Sequence, residues 1–170
     1  ELKGAEELIW KLYEIGVDAL IIQDMGILKM DLPPLALHAS TQMHNYDLER
    51  SKFLDALGFQ RIVLARELSM EQLRIIRQEV NAELEVFVHG ALCVSLSGQC
   101  YLSQHMFGRS ANRGECAQPC RMKWSVKDSD GKIVMKDKYM LSLKDLKLVS
   151  HIKELIEIGI DSFKIEGRLK

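Results

Sequence analysis

Three stretches repeat one design: "EIGVDALIIQD" (Glu14 to Asp24), "ALGFQRIVLAR" (Ala56 to Arg66) and "EIGIDSFKIEG" (Glu157 to Gly167). Each runs from the end of a helical pattern through a glycine and a short polar step into an apolar run of strand length, then turns polar. The glycine suits the left-handed residue that closes a helix, and the apolar run reads as a buried strand. "LPPLALHASTQ", introduced by Pro33-Pro34, and "AELEVFVHG" supply two further strands. Amphipathic periodicity predicts helices over Gly4–Ile15, Leu48–Leu57, Met70–Val80 and Leu143–Ile158. Ser69 and Gln72 form a capping-box pattern before the third of them.

Strand alternating with helix at a spacing of roughly 21 to 24 residues predicts parallel βαβ units. A doubly wound sheet and a TIM-like (β/α) barrel share that pattern. The barrel is favoured, because the strand ends look alike and no Gly-rich dinucleotide loop follows any of them. A complete barrel takes eight strands and typically about 250 residues. Five βα strands in a chain of 170 residues therefore predict an α/β fold that is part of one. The expected organisation of 1–170 is a single fragment of a barrel domain, with βα units over 1–90, a Cys-rich insert over 91–140 and a returning αβ unit over 141–170. Within the insert, Asp130-Gly131 between β-prone residues predicts a hairpin. The start at Glu1 inside a helical pattern and the end at "KIEGRLK" read as an internal piece of a longer protein.

A chain that is 47% hydrophobic and 28% charged reads as globular rather than disordered. Its net charge of -1 argues against a surface wholly given to nucleic acid but leaves room for a local basic patch. It contains no apolar run of about 18 residues and no leader pattern, so the expectation is a cytoplasmic protein without a membrane span. A partial barrel exposes sheet edges, which predicts pairing with a second copy.

In parallel α/β folds the residues just past the strand C-termini line the site. Here they are Gln23 and Asp24, then His38, Thr41 and Gln42, then Arg66 and Glu67, then His89, and last Glu166 and Arg168. Any one such residue is polar simply because strand ends reach water. The set includes arginines that bind anions and two histidines and carboxylates of the kind that move protons.

All four cysteines, Cys93, Cys100, Cys116 and Cys120, fall between the fourth strand and the hairpin. Disulfides are disfavoured without a secretion signal. Zinc knuckles are usually tight, and only Cys116-x3-Cys120 is; an iron–sulfur cluster tolerates looser spacing. Spacing alone leaves iron–sulfur and zinc equal, with buried free thiols as the plain alternative. No H-E-x-x-H, G-x-S-x-G or Walker loop occurs. A Cys93–His89 dyad would leave three cysteines idle. "GRSANRGECAQPCRMKW" carries Arg109, Arg113, Arg121 and Lys123 against one Glu115, an excess that suits RNA phosphates or an acidic metabolite, or simply a solvated loop.

The run Glu85-x-Phe87-x-x-Gly90-Ala91-Leu92-Cys93-x4-Gly98-x-Cys100-x-Leu102-Ser103, with "GRSANRGECAQPCR" and "GIDSFKIEGR", resembles the signature of the peptidase U32 (collagenase-like) family over essentially the whole chain. The resemblance implies a TIM-like barrel and, for several members, a [4Fe-4S] cluster on cysteines. It implies two activities. One is proteolysis, which gave the family its label. The other is hydroxylation without molecular oxygen: of the tRNA wobble uridine at C5 using prephenate, of a ribosomal RNA cytidine, or in ubiquinone synthesis. "NRGECAQPCR" is most similar to the RNA-modifying branch. Cluster-bearing relatives often place a cysteine in "S-x-x-D-L-C", where this chain has Lys147. The fourth ligand is then Cys120, or the cluster is absent or incomplete.

The expectation from the resemblance is an iron–sulfur hydroxylase of an RNA base, a tRNA wobble uridine foremost. Cys93, Cys100, Cys116 and Cys120 would hold the cluster, and His89, Gln42, Glu166 and Arg168 would line the pocket, Arg168 facing a carboxylate such as that of prephenate. Arg66, Arg109, Arg113 and Arg121 would contact the substrate. The alternatives are a peptidase acting on a peptide substrate and a non-catalytic, zinc-stabilised binding module.

Overall fold

The computed structural model describes residues 2–167. Helix α1 (Leu2–Ile15) leads into β1 (Ala19–Ile22), and β2 (Ala36–Ala39) is followed by α2 (Leu48–Ala56) and β3 (Arg61–Val63). Next come α3 (Met70–Glu79) and the long β4 (Glu83–Gly90). A stretch with α4 (Leu102–Phe107) and the strands β5 (Trp124–Lys127) and β6 (Ile133–Lys138) precedes β7 (Leu146–Lys147), α5 (Ile152–Ile158) and β8 (Ser162–Glu166). Local chemistry sets the helix ends. Asp47 caps α2 by accepting from the Arg50 amide at 2.7 Å, and Ser69 and Gln72 close the predicted capping box on α3. Gly159, at φ 94°, caps α5 in the left-handed conformation its repeat motif predicts.

Strands β1 to β4 lie side by side in sequence order, all parallel, and β8 pairs parallel with β4 along Glu85–Gly90. This sheet curls into a half barrel with the helices on one face. Alternate residues pack under those helices: Ile22, Ala39, Ile62, Leu64, Leu84 and Val86 join Leu54 of α2, Ile76 of α3 and Leu155 of α5 in one core.

The opposite face of the sheet is charged. Buried Glu85 of β4 meets Lys164 of β8 at 2.8 Å and Arg61 of β3 at 3.3 Å, and accepts from the Ser162 hydroxyl at 2.9 Å. Burial alone would raise the Glu85 carboxyl. The hydrogen bonds from Lys164 and Ser162 and the charges of Lys164 and Arg61 outweigh it and hold the carboxyl below its usual range.

One predicted element is shorter than its pattern. The helix expected over Leu143–Ile158 begins only at Ile152. Leu146 and Lys147 are instead drawn into an antiparallel pairing with Gly90 and His89, and the Leu148 amide donates to the Val88 carbonyl at 2.9 Å. Pairing with the overhanging end of β4 overrides helical propensity there. The residues around Asp130-Gly131 join β5 to β6 as an antiparallel pair, separate from the main sheet.

Candidate functional site

A cavity of about 240 Å³ opens at the C-terminal ends of the strands, and Cys93, Cys100, Cys116 and Cys120 all line it, together with Gln42 and Arg66. The cysteines arrive from separate turns of one long loop, and close backbone packing holds that loop in place. Gly90 ends β4 at φ 105°, and a Cβ there would sit 1.7 Å from the Glu166 carbonyl oxygen. Only glycine lets β4 and β8 close at this point. Gly98 likewise lies against the turn after β2, where a Cβ would sit 2.4 Å from the Gln42 carbonyl oxygen.

Between these glycines, Glu67 accepts from the Ser97 amide at 2.5 Å and from its hydroxyl at 2.8 Å. His44 Nδ1 lies 2.6 Å from the Ser97 carbonyl oxygen, so one buried serine is gripped from two strand ends. Further along, the Cys100 amide donates to Asn112 Oδ1 at 3.2 Å, and the fully buried Ser103 hydroxyl accepts from the Ala117 amide at 2.9 Å. Gln118, at φ 56°, aims its amide at Cys116 Sγ, 3.4 Å away.

All four cysteines are thiols, with Cys93 and Cys116 exposed and Cys100 and Cys120 half-buried. Burial pushes the Cys120 thiol up; Arg121 opposes the shift, while Cys93, Cys116 and Cys100 add to it. Among the described residues no three His, Cys, Asp or Glu side chains converge on a point that one metal ion would occupy. A single zinc needs its sulfurs about 2.3 Å from one centre. The four thiols instead line one cavity. An iron–sulfur group on these four thiols would draw its ligands from separate turns of the loop.

Arg66 closes the inner wall of the cavity. Its guanidinium stacks over Phe87 at 3.8 Å and pairs with Glu166, while its Nε is buried without a hydrogen-bond partner among the described residues.

The predicted site residues separate into groups. Gln42, Arg66, Arg121 and the cysteines share the cavity, and Glu166 reaches it through Arg66. His89 is solvent-exposed next to β7 and does not line the cavity. The β4–β8 register shift lies between Phe87 and His89, so strand alternation from Phe87 does not locate the His89 side chain. Arg121 lines the cavity and also braces the loop: it donates to Ser142 Oγ at 2.6 Å, the Leu143 carbonyl at 3.2 Å and the Leu92 carbonyl at 2.7 Å. Arg109 and Arg113 are exposed, and Asp24 caps its own turn through the Gly26 amide at 2.8 Å. Arg168 lies outside the described residues. The grip of Glu67 and His44 on Ser97, and that of Asn112 on Cys100, left no motif in the sequence. These are contacts between segments, and no local spacing encodes them.

A parallel half barrel with a cysteine-ringed cavity at its strand C-termini defines the class, and the comparisons with known proteins agree with it. The family model described as "Peptidase family U32" matches residues 1–170, and the chain belongs to that family. It is 54% identical over its whole length to the 23S rRNA 5-hydroxycytidine C2501 synthase of Escherichia coli, covering 26% of that protein. It is 44% identical to "Uncharacterized protease MJ0090" of Methanocaldococcus jannaschii, all of this chain against 44% of that one. It is 37% identical to the tRNA hydroxylation protein P1 of Bacillus subtilis, 99% of this chain against 42% of that one. The chain thus spans between about a quarter and under half of the length of these relatives. The solved structure of the U32 peptidase Mk0906 superposes with a TM-score of 0.54 at 15% identity, over 99% of this chain and 61% of that one, a likeness of fold.

Proposed function

We propose that this chain is part of an enzyme that hydroxylates a base of RNA, with an iron–sulfur cluster held by Cys93, Cys100, Cys116 and Cys120. The observation that carries this reading is the convergence of all four thiols on one cavity beside Gln42 and Arg66. Lys147, in the position where cluster-bearing relatives often carry a cysteine, sits on β7 and does not line that cavity; Cys120 supplies the fourth sulfur instead. The relatives support RNA as the substrate class, since those at 54% and 37% identity are named for rRNA and tRNA hydroxylation. We favour a ribosomal RNA pyrimidine over a tRNA base as the substrate, in keeping with the higher identity to the rRNA relative. The active unit is a TIM-like barrel completed by parts of the protein outside this chain.

The cluster, when bound, supplies redox chemistry at the cavity. The chain's own residues bind and orient. Gln42 presents an amide able to read the edge of a base, and Arg66, already paired with Glu166, offers its remaining N–H donors to an oxygen of a co-substrate such as prephenate. Glu166 and Phe87 fix the Arg66 guanidinium in direction before anything binds. Gln118 and the loop contacts hold the sulfurs in place around the cavity.

Peptidase chemistry finds less here. Ser97 is buried and its hydroxyl donates to Glu67, and His89 lies outside the cavity that Cys93 lines.

The test is iron and acid-labile sulfide on the full-length protein purified without oxygen, with RNA nucleosides analysed in a deletion strain. About four irons and four sulfides per chain, and a hydroxylated pyrimidine restored by the wild type but not by Cys100→Ala, are expected. A metal-free protein with unchanged nucleosides and measurable peptide cleavage overturns the reading.

A further inference from the structure

Behind the cysteine loop lies a second, open groove of about 550 Å³, lined by His44, Tyr46, Arg50, Phe53 and Gln99, with the carboxylates of Asp47 and Glu49 also on its wall. We infer that this groove is a stacking platform for an unpaired nucleobase neighbouring the base that enters the cysteine cavity. The inference rests on the RNA reading above and extends it to a second contact.

Three features point to a flat, π-bearing ligand. The first is exposed aromatic surface: Tyr46 is 46% and Phe53 48% exposed, although both lie on the wall of a concavity. The second is preorganisation. His44 stacks on Tyr46 with ring centroids 4.2 Å apart and planes inclined by 28°. His44 itself is held at φ 60°, in the left-handed region sparsely used by non-glycine residues. Its ring is tied to the Ser97 carbonyl, so the Tyr46 ring has a braced partner on one side. The third is a cation: the Arg50 guanidinium lies 5.5 Å above the Phe53 ring, and its Nε is buried without a hydrogen-bond partner among the described residues. Aromatic faces beside an arginine suit bases of single-stranded RNA, which stack regardless of sequence.

Position selects RNA over another aromatic-binding partner. Gln99 lines the groove and stands beside Cys100, which lines the cavity. Gln42 of the cavity and His44 of the groove are two residues apart on one turn, which packs against Gly98 of the loop. Cavity and groove thus share one wall, the cysteine loop. A base taken out of its stack for chemistry leaves neighbours whose unstacking has to be compensated, and an adjacent platform does that.

The experiment uses the full-length protein and a short single-stranded RNA carrying one 2-aminopurine, read by anisotropy and by quenching of the probe. Tyr46→Ala and Phe53→Ala are each expected to weaken binding about tenfold, to reduce quenching, and to leave the salt dependence unchanged, since a stacking contact releases no counterion. Tyr46→Phe retains binding, and Tyr46→Leu, which keeps apolar bulk without the ring, does not. Wild-type affinity and quenching in Tyr46→Ala, Phe53→Ala and Tyr46→Leu, with the parent binding RNA, overturns this inference and leaves the RNA reading intact. A parent protein that binds no RNA overturns both.

Discussion

Arg66, three residues past β3, and Glu166 at the end of β8 form an ion pair, 100 residues apart in the chain, with the arginine guanidinium over the Phe87 ring of the strand between them. Three strands are thereby clamped at the mouth of the half barrel. The Arg66 side chain is 9% exposed and that of Glu166 23%, so the pair is largely removed from water. Glu166→Gln leaves a cation in a nearly dry site and is expected to destabilise the protein by about 3 kcal/mol. Pairing Arg66→Met with Glu166→Leu recovers most of that loss, because the uncompensated charge goes with it. Denaturant unfolding of the wild type and the two variants measures both effects.

Gly90 meets β8 at the same point. A methyl group there would overlap the Glu166 carbonyl, and φ 105° is closed to residues with a side chain. Gly90→Ala is therefore expected to cost about 3 kcal/mol or more and to pull β4 and β8 apart near the cavity. Gly4→Ala, where a Cβ would meet nothing within 4 Å, is the matched control, and its thermal midpoint stays at or above that of the wild type.

The thiols differ in access. Cys93 and Cys116 are exposed, whereas Cys120 is half-buried with its thiol pushed up by burial. In the metal-free protein, alkylation at neutral pH is expected to label Cys93 and Cys116 before Cys120. In the anaerobically loaded protein all four are protected together. Mass spectrometry of time-resolved labelling reads the order, and labelling of Cys120 first contradicts it.

Much of this was legible in the sequence. The repeated helix–glycine–strand pattern contains the information for β1, β3 and β8, and Gly159 caps α5 as that pattern requires. The shared cavity of Cys93, Cys100, Cys116 and Cys120 follows from their crowding after one strand end. Other features depended on pairing between distant segments, which a local pattern does not carry. Lys147 and Leu146 read as helix and became strand because β4 overhangs its neighbour. His89 read as a rim residue, yet it sits just past a β4–β8 register shift and is exposed outside the cavity. Arg121 read as a substrate contact and does line the cavity; what the sequence did not carry is that it also binds Leu92, Ser142 and Leu143, all remote from it in the chain.

Glu67 is a rim residue whose work is structural. Its two oxygens hold the Ser97 amide and hydroxyl, midway between Cys93 and Cys100. Hydrogen bonds to a charged acceptor contribute about 1.5–3 kcal/mol each. Glu67→Ala is expected to loosen the loop, seen as faster hydrogen exchange at the Ser97 amide and faster alkylation of Cys93. Unchanged exchange at Ser97 contradicts the role.

Acid reports on the charged face of the sheet. Glu85 has a lower pKa in the folded protein than in the unfolded chain, where a glutamate titrates near 4.3 on average. The unfolded state therefore takes up its proton first as pH falls. The stabilisation from Glu85 is complete above the unfolded value and is lost as pH drops through the folded one. Lys164→Met removes the nearest cation, 2.8 Å away, so the folded pKa rises toward the unfolded one and the acid loss of stability becomes smaller. Glu85→Gln abolishes this component, at the cost of leaving Lys164 and Arg61 without their shared carboxylate. Urea unfolding across pH 3 to 7 resolves the three curves, and parallel curves for wild type and Lys164→Met would show that Lys164 does not set the Glu85 titration.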